Sequence, residues 1–144
     1  MPPAGRVDPY RKFNFIVEID GIQAAAFAEV SGLESETAVI EYRTGADFLT
    51  RKLPGLTKYG NVVLKRGVTR STELWDWRKS VTDGNIQRRN GAVVLLDASR
   101  KPVLRWNFFE GWPCKWVGPD LNASANEIAI ETLEIAVERI ELAT

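Results

Sequence analysis

Hydrophobic and polar residues alternate near the start of the chain, over residues 13–20. One side of this alternation carries Phe13, Phe15, Val17 and Ile19, and the other carries Asn14, Ile16, Glu18 and Asp20. A period of two is typical of a strand with one buried face. Asp20-Gly21 suits a two-residue hairpin turn, and a second apolar run over residues 22–30 follows it. The pattern predicts an early β-hairpin whose apolar face the rest of the chain must cover.

Alternation, or a short apolar run between turn residues, predicts further strands along the chain. The predicted strands are residues 34–43, 61–66, 92–97, 103–109 and 114–117, with a break at Gly111-Trp112-Pro113 before the last. The C-terminal segment, residues 126–142, fits two interpretations. Ile130, Leu133 and Val137 have the spacing of a helix face. In the same segment, Leu133, Ile135 and Val137 alternate with glutamates as a strand requires, so the local pattern leaves both open.

One helix is predicted at about residues 71–83. Ser71 is suited to its N-cap, and Gly84 to the position just past its last turn. An apolar stripe at i, i+3 and i+7 would pack on a sheet; it consists of Leu74, Trp77 and Val81. Together these elements predict one mainly β (α+β) domain over residues 1–144, a sandwich or partial barrel with one helix. The polar, proline-rich residues 1–9 predict a short flexible arm.

Residues 44–58 are the least regular stretch of the chain. Two glycines, a proline and no clear periodicity predict an extended loop without secondary structure. Loops of this length are usually functional or disordered. Disorder is disfavoured because four side chains are too apolar to stay solvated; these are Phe48, Leu49, Leu53 and Leu56. Two alternatives remain: the loop folds back on its own core, or it docks on another chain.

Charge is balanced overall but unevenly distributed, with a formal net charge of +0. Residues 43–70 carry seven basic side chains against Asp47 alone, a net of +6. Residues 120–144 carry six acidic side chains against Arg139 alone, a net of −5. Two solvated faces would explain this distribution. The sharper alternative is a positive and a negative surface through which copies bind head to tail.

The sequence offers little material for catalysis or metal binding. It has no histidine, and therefore lacks the usual general base and the commonest metal ligand. Cys114 is the only cysteine, which is typical of a reducing compartment. We predict no enzymatic activity, no cofactor and no metal site. Five tryptophans would allow a carbohydrate- or peptide-binding β-sandwich, whereas the acidic C-terminal segment argues against a nucleic-acid module built on residues 43–70.

Several motifs, in order from about residue 8 to residue 142, carry a family resemblance. They are DPYRKFNFIVEIDGI, AAFAEVSGLE, IEYRTGAD, RKLPGLTKYGNVVLKRGVT, LWDWR and RWNFFEGWPCKWVGPDLNASANEIAIETLEIA. In these motifs the chain resembles the inner-tube proteins of contractile injection systems, which include phage tail tubes and extracellular phage-tail-like particles for toxin delivery. The blocks LPGLTKYGNVVLKRG and GPDLNASANEIAIE are the most specific.

The resemblance implies two packed antiparallel sheets with a helix at one edge. It implies subunits that close into a hexameric ring with a continuous β-barrel around a lumen, and rings that stack into a tube. The C-terminal segment would be a long strand lining the barrel, and residues 44–58 would contact neighbouring subunits or rings. The predicted subunit or ring interface consists of Asp47, Phe48, Leu49, Arg51, Lys52, Leu53, Leu56, Glu131, Glu134 and Glu138.

The function that the resemblance implies is structural: a hollow needle that penetrates a target envelope and conducts cargo. Its partners would be further copies of itself, the contractile sheath, the baseplate and spike, tube-terminating proteins and a cargo effector in the lumen, with no direct membrane anchor. The protein would be made and assembled in the cytoplasm and act in a virion-like or extracellular particle. A tube-initiating paralogue at the baseplate is the alternative within the family.

Overall fold

The computed structural model describes residues 14–25, 27–46, 48–124 and 127–143, and the predicted arm at residues 1–9 lies outside them. The elements of this part are ten strands and one helix: β1 (Phe15–Ile19), β2 (Ile22–Ala25), β3 (Glu29–Ser31), β4 (Ser35–Tyr42), β5 (Arg51–Tyr59), β6 (Val62–Gly67), α1 (Glu73–Thr82), β7 (Arg89–Leu96), β8 (Pro102–Val117), β9 (Ile130–Ala136) and β10 (Arg139–Ala143). The predicted mainly β fold with one helix is confirmed. No helix of the described residues is long and apolar enough to cross a membrane.

Two antiparallel sheets pack against each other and share the long strand β8. Neighbouring strands follow the order β2-β1-β7-β8-β9-β6-β3, and β10 also pairs with β8. The first half of β8 pairs with β7 and β10, and its second half pairs with β9. Two antiparallel sheets are what the resemblance implied. β4 and β5 form a separate two-stranded sheet.

The hydrophobic core lies between the two sheets and beneath the helix. Its members come from β1, β6, β7, β8, β9 and α1: Val17, Ile19, Val62, Leu64, Leu74, Trp77, Val93, Phe108, Leu133 and Ile135. Strand residues contribute at every second position, as a period of two requires. The alternation predicted for Val17 and Ile19 is therefore confirmed, since both side chains are buried.

The first hairpin forms as predicted, but its second half is shorter than the apolar run suggested. Ile19 pairs with Ile22 across Asp20-Gly21, and Gly21 has a φ of 76°. This positive φ is a conformation that glycine adopts without steric cost. The predicted single run over residues 22–30 is wrong. It divides into β2 and β3, and β3 pairs with β6 at the opposite end of the strand order.

The predicted break at Gly111-Trp112-Pro113 is also wrong, because β8 continues through it for a total of 16 residues. The strand bends instead of ending. Glu110 has a φ of 55°, and its N–H donates to Asn90 Oδ1 at 3.0 Å. Pro113 is tolerated because the pairing with β9 shifts register between Pro113 and Lys115. The bend carries β8 from one sheet into the other.

The C-terminal segment consists of strands, so the helical interpretation of residues 126–142 is wrong. It is two strands and not one. β9 pairs with β6 and β8, and β10 pairs with the first half of β8. The chain changes sheets at Glu138, whose N–H donates to Phe109 O at 3.0 Å. This crossing lies beside the bend of β8, so both strands change sheets at one corner.

The helix begins two residues later than predicted, at Glu73. Thr72 and not Ser71 is the N-cap, and its side chain caps no backbone N–H. The Thr72 hydroxyl lies 3.1 Å from Asp76 Oδ2 instead. The prediction that the helix ends at Gly84 is confirmed, because Gly84 lies just past the last turn and has a φ of 84°. Leu74 and Trp77 are buried on the predicted stripe.

The expectation that residues 44–58 lack secondary structure is wrong for most of their length. β5 covers Arg51–Tyr59 and pairs with β4 in a long hairpin, and residues 43–46 and 48–50 are the described part of the connection. A register shift between Thr37 and Val39 interrupts the alternation of β5 against β4. Together with Pro54-Gly55, that bulge hides the period of two from a sequence pattern.

Candidate assembly surfaces

The β4–β5 hairpin is the most exposed element of the described chain, and its pairing follows from its side chains. Glu36 lies opposite Lys58, and Glu41 lies opposite Lys52. Opposite charges at facing positions stabilise an antiparallel pair. The hydroxyls of Thr37 and Thr57 lie 2.9 Å apart near the base of the hairpin. These contacts hold the two strands of the hairpin together.

Apolar side chains on this hairpin face solvent. Every residue of β4 is exposed. The large exposed apolar side chains, with their exposed fractions, are Val39 (61%), Ile40 (51%), Tyr42 (41%), Phe48 (99%), Leu49 (80%), Leu53 (48%) and Leu56 (80%). So many large exposed apolar side chains on one hairpin of a protein mark an interaction site. The alternative that residues 44–58 fold back on their own core is therefore wrong, since none of the predicted apolar residues is covered.

The structure separates the predicted interface residues into two groups. The basic and apolar members lie on the hairpin or its connection: Phe48, Leu49, Arg51, Lys52, Leu53 and Leu56. Asp47 lies outside the described residues. Glu134 is next to the hairpin base, because its Oε2 accepts a hydrogen bond from Asn61 Nδ2 at 2.8 Å. Glu138 is exposed and lies 3.9 Å from Arg88 Nη1.

Glu131 differs from the other predicted interface residues because it is buried inside the subunit. Arg66 Nε donates to its Oε1 at 2.6 Å, and Trp116 Nε1 donates to its Oε2 at 3.3 Å. Arg66 is buried as well, and its Nη2 reaches the carbonyl of Ser71 at 3.3 Å. Both carboxylate oxygens are thus occupied within the subunit, and the pair ties β6 and β9 to the segment that leads into the helix.

A second exposed apolar surface was not found from the sequence. We name it the distal patch; it consists of Val68, Val117, Ile128 and Ile130. The Val68 N–H donates to Ala129 O at 2.9 Å, and Gly67 lies opposite Ile130, which brings two parts of the patch together. Val117 is the last residue of β8, and it lies opposite Thr132 of β9, two residues from Ile130. Apolar residues beside the Gly118-Pro119 turn were the available signal, but they were scattered in sequence.

The remaining polar groups give no sign of a reactive centre. Burial raises the pKa of the Cys114 thiol above its usual value, and the neighbouring carboxylate of Glu134 raises it further. A raised pKa keeps the thiol protonated and poorly nucleophilic. Among the described residues, no group of three or more acidic or cysteine side chains could hold a metal ion.

The tryptophans do not present a flat stacking platform. Trp77 is buried in the core, and its Nε1 donates to Gln87 O at 2.7 Å. Trp75 meets Trp116 edge-on, with ring centroids 4.7 Å apart. An edge-on pair hides one ring face against its neighbour, whereas sugars and bases need an open face. Trp77 and the Trp75–Trp116 pair therefore serve packing.

Comparisons with known proteins agree with a self-assembling subunit. A chain of the PVC sheath-tube complex, an extracellular contractile injection system, is 28% identical, with a TM-score of 0.86 over 94% of this chain and 92% of that chain. A chain of the anti-feeding prophage baseplate is 26% identical, with a TM-score of 0.86 over 96% and 97%. Hcp1 from Flavobacterium johnsoniae, 20% identical with a TM-score of 0.64 over 91% and 95%, shares the fold.

No curated protein sequence matches the chain. A family model does, and it is described as T4-like virus tail tube protein gp19. The match extends over residues 11–141, nearly the whole chain, and includes both exposed apolar surfaces. The chain therefore belongs to the family of T4-like virus tail tube proteins, and it is a tube subunit of a phage-tail-like contractile injection system.

Proposed function

We propose that this subunit closes into hexameric rings that stack into a hollow tube, and that the β4–β5 hairpin makes the contact between copies. The observation that carries the proposal is the hairpin's uncovered apolar surface, from Val39 to Leu56. Burial of such a surface stabilises a complex by about 25 cal/mol for each Å² removed from water. Phe48, Leu49 and Leu56 are the anchors, because they are the three most exposed large apolar residues of the hairpin.

Open strand edges support ring closure. In the described part of the chain, β2 and β3 each pair on one side only, and so do both strands of the hairpin. Unpaired edges promote uncontrolled aggregation unless another strand covers them. Pairing between neighbouring subunits around a closed ring satisfies these edges and limits sideways growth. Residues 51–56 and Glu134, beside the hairpin base, belong to this proposed interface, together with Asp47 and Glu138.

The proposed partners follow from the similar chains. Those chains come from structures of a sheath-tube complex, a baseplate, a tube-terminating cap and a sheath/tube terminator. By analogy, this subunit contacts a contractile sheath along the tube, a baseplate at one end and a terminating protein at the other, and its lumen conducts a cargo effector. Synthesis and assembly take place in the cytoplasm, and the tube acts in an extracellular particle without any catalytic step.

The test removes the outer hairpin and keeps the subunit intact. Residues 38–56 are replaced by Asn-Gly, which joins Thr37 directly to Thr57 through a favoured two-residue turn. The core contains no residue of the removed segment, so circular dichroism should show a folded, β-rich protein. Electron microscopy should show long tubes for the unmodified chain and none for the variant. Long tubes from the variant would refute the role of the hairpin.

The matched control replaces Ile86 and Leu142, two exposed apolar residues off the hairpin, with serine. This control should still form tubes, which separates loss of the hairpin from a general loss of surface apolarity. The same micrographs address the alternative that the chain is a tube-initiating paralogue, which similarity to a baseplate chain keeps in view. An initiator forms single rings, whereas a main tube subunit elongates.

A further inference from the structure

The β4–β5 hairpin joins the rest of the subunit at a narrow junction. β3 pairs with β6 as far as Ser31, and β4 pairs with β5 from Ser35 onward. In the gap between these pairs, the Gly60 N–H donates to the Glu34 carbonyl oxygen at 2.9 Å. A Cβ at Gly60 would lie 2.8 Å from the carbonyl oxygen of Gly32, so the two strands cross at a range that suits glycine. The hairpin therefore leaves the subunit through two closely crossing strands.

The hydrophobic core reaches the junction and does not extend into the hairpin. Leu33 packs against the core, and Val62 is one of its buried members. In the described part of the chain, no hydrophobic residue of β4 or β5 belongs to the core or packs against it. The backbone of β5 also approaches that of β10. A projecting element can change its angle at the few residues where it is attached, because those residues absorb the backbone rotation.

Asn61 is tied to the body of the subunit at this junction. Its Nδ2 donates to Glu134 Oε2 at 2.8 Å, and Glu134 is the residue of β9 that lies opposite Val63. The carboxylate makes this a charge-assisted hydrogen bond, which is stronger than one between neutral groups. The carbonyl oxygen of Asn61 lies against Gly32, where an added Cβ would collide with it. Asn61 is thus held from two sides, one residue away from Gly60.

We infer that the hydrogen bond between Asn61 and Glu134 is a positioning contact, which sets the angle at which the β4–β5 hairpin leaves the subunit. The inference rests on the proposed role of the hairpin in assembly, and it gives Glu134 a role inside the subunit. With the bond intact, the hairpin is presented at one angle, so binding costs little ordering. With the bond broken, the hairpin turns about Glu34 and Gly60, and only a fraction of the subunits is competent to bind. The critical concentration rises by the inverse of that fraction.

The first experiment exchanges the donor and the acceptor. Asn61→Asp places one carboxylate against another, so it should open the contact and raise the critical concentration for sedimentable tubes about tenfold. Glu134→Gln keeps an acceptor for Asn61 and should raise that concentration by less than about threefold. In the double variant the new amide donates to the new carboxylate, so the critical concentration should return to within about twofold of the original value.

The matched control is Asn85→Asp, the same change of charge at an exposed position after the helix. It should leave the critical concentration unchanged. An acid at residue 61 that repelled a neighbouring copy directly would act with either residue at position 134. A double variant as impaired as Asn61→Asp would therefore overturn the inference, and so would an Asn61→Asp variant that assembles like the unmodified chain.

The second experiment measures the hairpin angle in unassembled subunits. Spin labels are placed at Tyr42→Cys, at the far end of β4, and at Ser99→Cys, between β7 and β8, in a chain with Cys114→Ser. Double electron–electron resonance gives the distribution of the distance between them. That distribution should be narrow with the bond intact, about twofold broader in Asn61→Asp, and narrow again in the double variant. Labels at Ser35→Cys and Tyr42→Cys, both within the hairpin, should give one narrow distribution throughout.

Equal widths between hairpin and body with and without the bond would overturn the inference. Broadening within the hairpin would overturn it as well, because the hairpin would then open and not turn. These distances are measured below the critical concentration, so they do not depend on tube formation. Failure of the unmodified chain to assemble would refute the proposed function, and the distances would still decide whether Asn61 and Glu134 position the hairpin.

Discussion

At the scale of single residues, Arg66 and Glu131 show how an ion pair can serve the fold when it is kept away from solvent. Their side chains are buried, and the Nε–Oε1 distance is 2.6 Å. Removal of one partner leaves the other charged and unpaired in a low dielectric, at a cost of about 3–5 kcal/mol. Glu131 is therefore one of the more sensitive positions in the subunit.

We expect Glu131→Ala to lower the free energy of unfolding by about 3 kcal/mol, measured by urea denaturation with tryptophan fluorescence at concentrations below tube formation. Glu138→Ala is the control, since Glu138 makes only an exposed contact with Arg88 at 3.9 Å. That variant should change the free energy by less than about 0.5 kcal/mol. Equal effects of the two substitutions would contradict a structural role for the buried pair.

The environment of Cys114 suppresses the reactivity of its thiol. Burial and Glu134 raise the pKa of the thiol above 9.0, its usual value. We expect alkylation at pH 7.5 to be several-fold slower than that of a free cysteine, and to accelerate as the pH rises through the elevated pKa. Thiolate formation is disfavoured in the folded state. The associated stabilisation is thus complete below the unfolded pKa and is lost as the pH rises through the folded one.

The control for this thiol is Cys114→Ser, which should leave tube formation unchanged. The sulfur makes only weak contacts, with Glu134 at 3.5 and 3.7 Å and with Asn61 Nδ2 at 3.8 Å. Rapid alkylation at pH 7.5 would show that the side chain is more open than the structure indicates. Loss of tubes in the serine variant would show that the thiol has a role in assembly.

At the scale of elements, the corner where the two sheets meet depends on close approach between β7, β1 and β8. A Cβ at Gly91 would collide with the ring of Phe108 and would lie 2.5 Å from the carbonyl oxygen of Glu18. Phe108 is fully buried, so its ring has no space to retreat. Only glycine allows the three strands to meet at this point.

Gly91→Ala should therefore cost about 1–3 kcal/mol of unfolding free energy through overpacking. Gly45→Ala is a suitable control, because an added Cβ there would have nothing within 4 Å and the φ of Gly45 is not in the left-handed region. Thermal unfolding monitored by circular dichroism would compare the two. A neutral Gly91→Ala would mean that the backbone at the corner can move apart.

The elements also show which features a sequence pattern can predict. Regular alternation predicts β1 and β4, and short apolar segments between turn residues predict β6 and β7. It does not predict β5, because a bulge and Pro54-Gly55 disturb the period of that strand. The sequence pattern divides β8 into two strands. The reason is that β8 bends at Glu110 as it changes sheets, and the residues at such a bend resemble those of a turn. Such bends depend on tertiary packing, which local periodicity does not record.

The candidate interface is also predictable only in part, because the sequence pattern is local and some of the interface depends on the fold. Apolar residues in an irregular stretch indicate a surface that needs a partner, and Phe48, Leu49 and Leu56 are indeed uncovered. For Glu131, nothing in the local sequence reveals that Arg66 lies against it. The distal patch is not predictable from local pattern, because it assembles from residues 68, 117 and 128, which only the pairing of β6, β8 and β9 brings together.

At the scale of the whole molecule, uneven charge on a neutral chain makes assembly sensitive to salt. Residues 43–70 carry a net charge of +6 and residues 120–144 a net charge of −5, so an attraction between these segments of neighbouring copies would weaken as ions screen it. We expect a rise from roughly 0.05 M to roughly 0.5 M NaCl to raise the critical concentration several-fold. Sedimentation of purified protein over this range measures the effect.

The apolar part of the contact should limit the loss, because burial of apolar surface does not weaken with added salt. Sulfate, which strengthens apolar burial, should raise the critical concentration less than chloride at equal ionic strength. A critical concentration that is independent of both salts would show that charge contributes nothing to assembly.

The long strand β8 has a mechanical consequence. Its 16 residues pass through both sheets without interruption, with β7 and β10 along one half and β9 along the other. A push on one sheet therefore reaches the other through peptide bonds, and not only across the softer contacts between side chains. Displacement of the strand along its axis requires many hydrogen bonds to break at the same moment. A subunit that contains such a strand resists shear between its two sheets, as a tube driven forward by a contracting sheath requires.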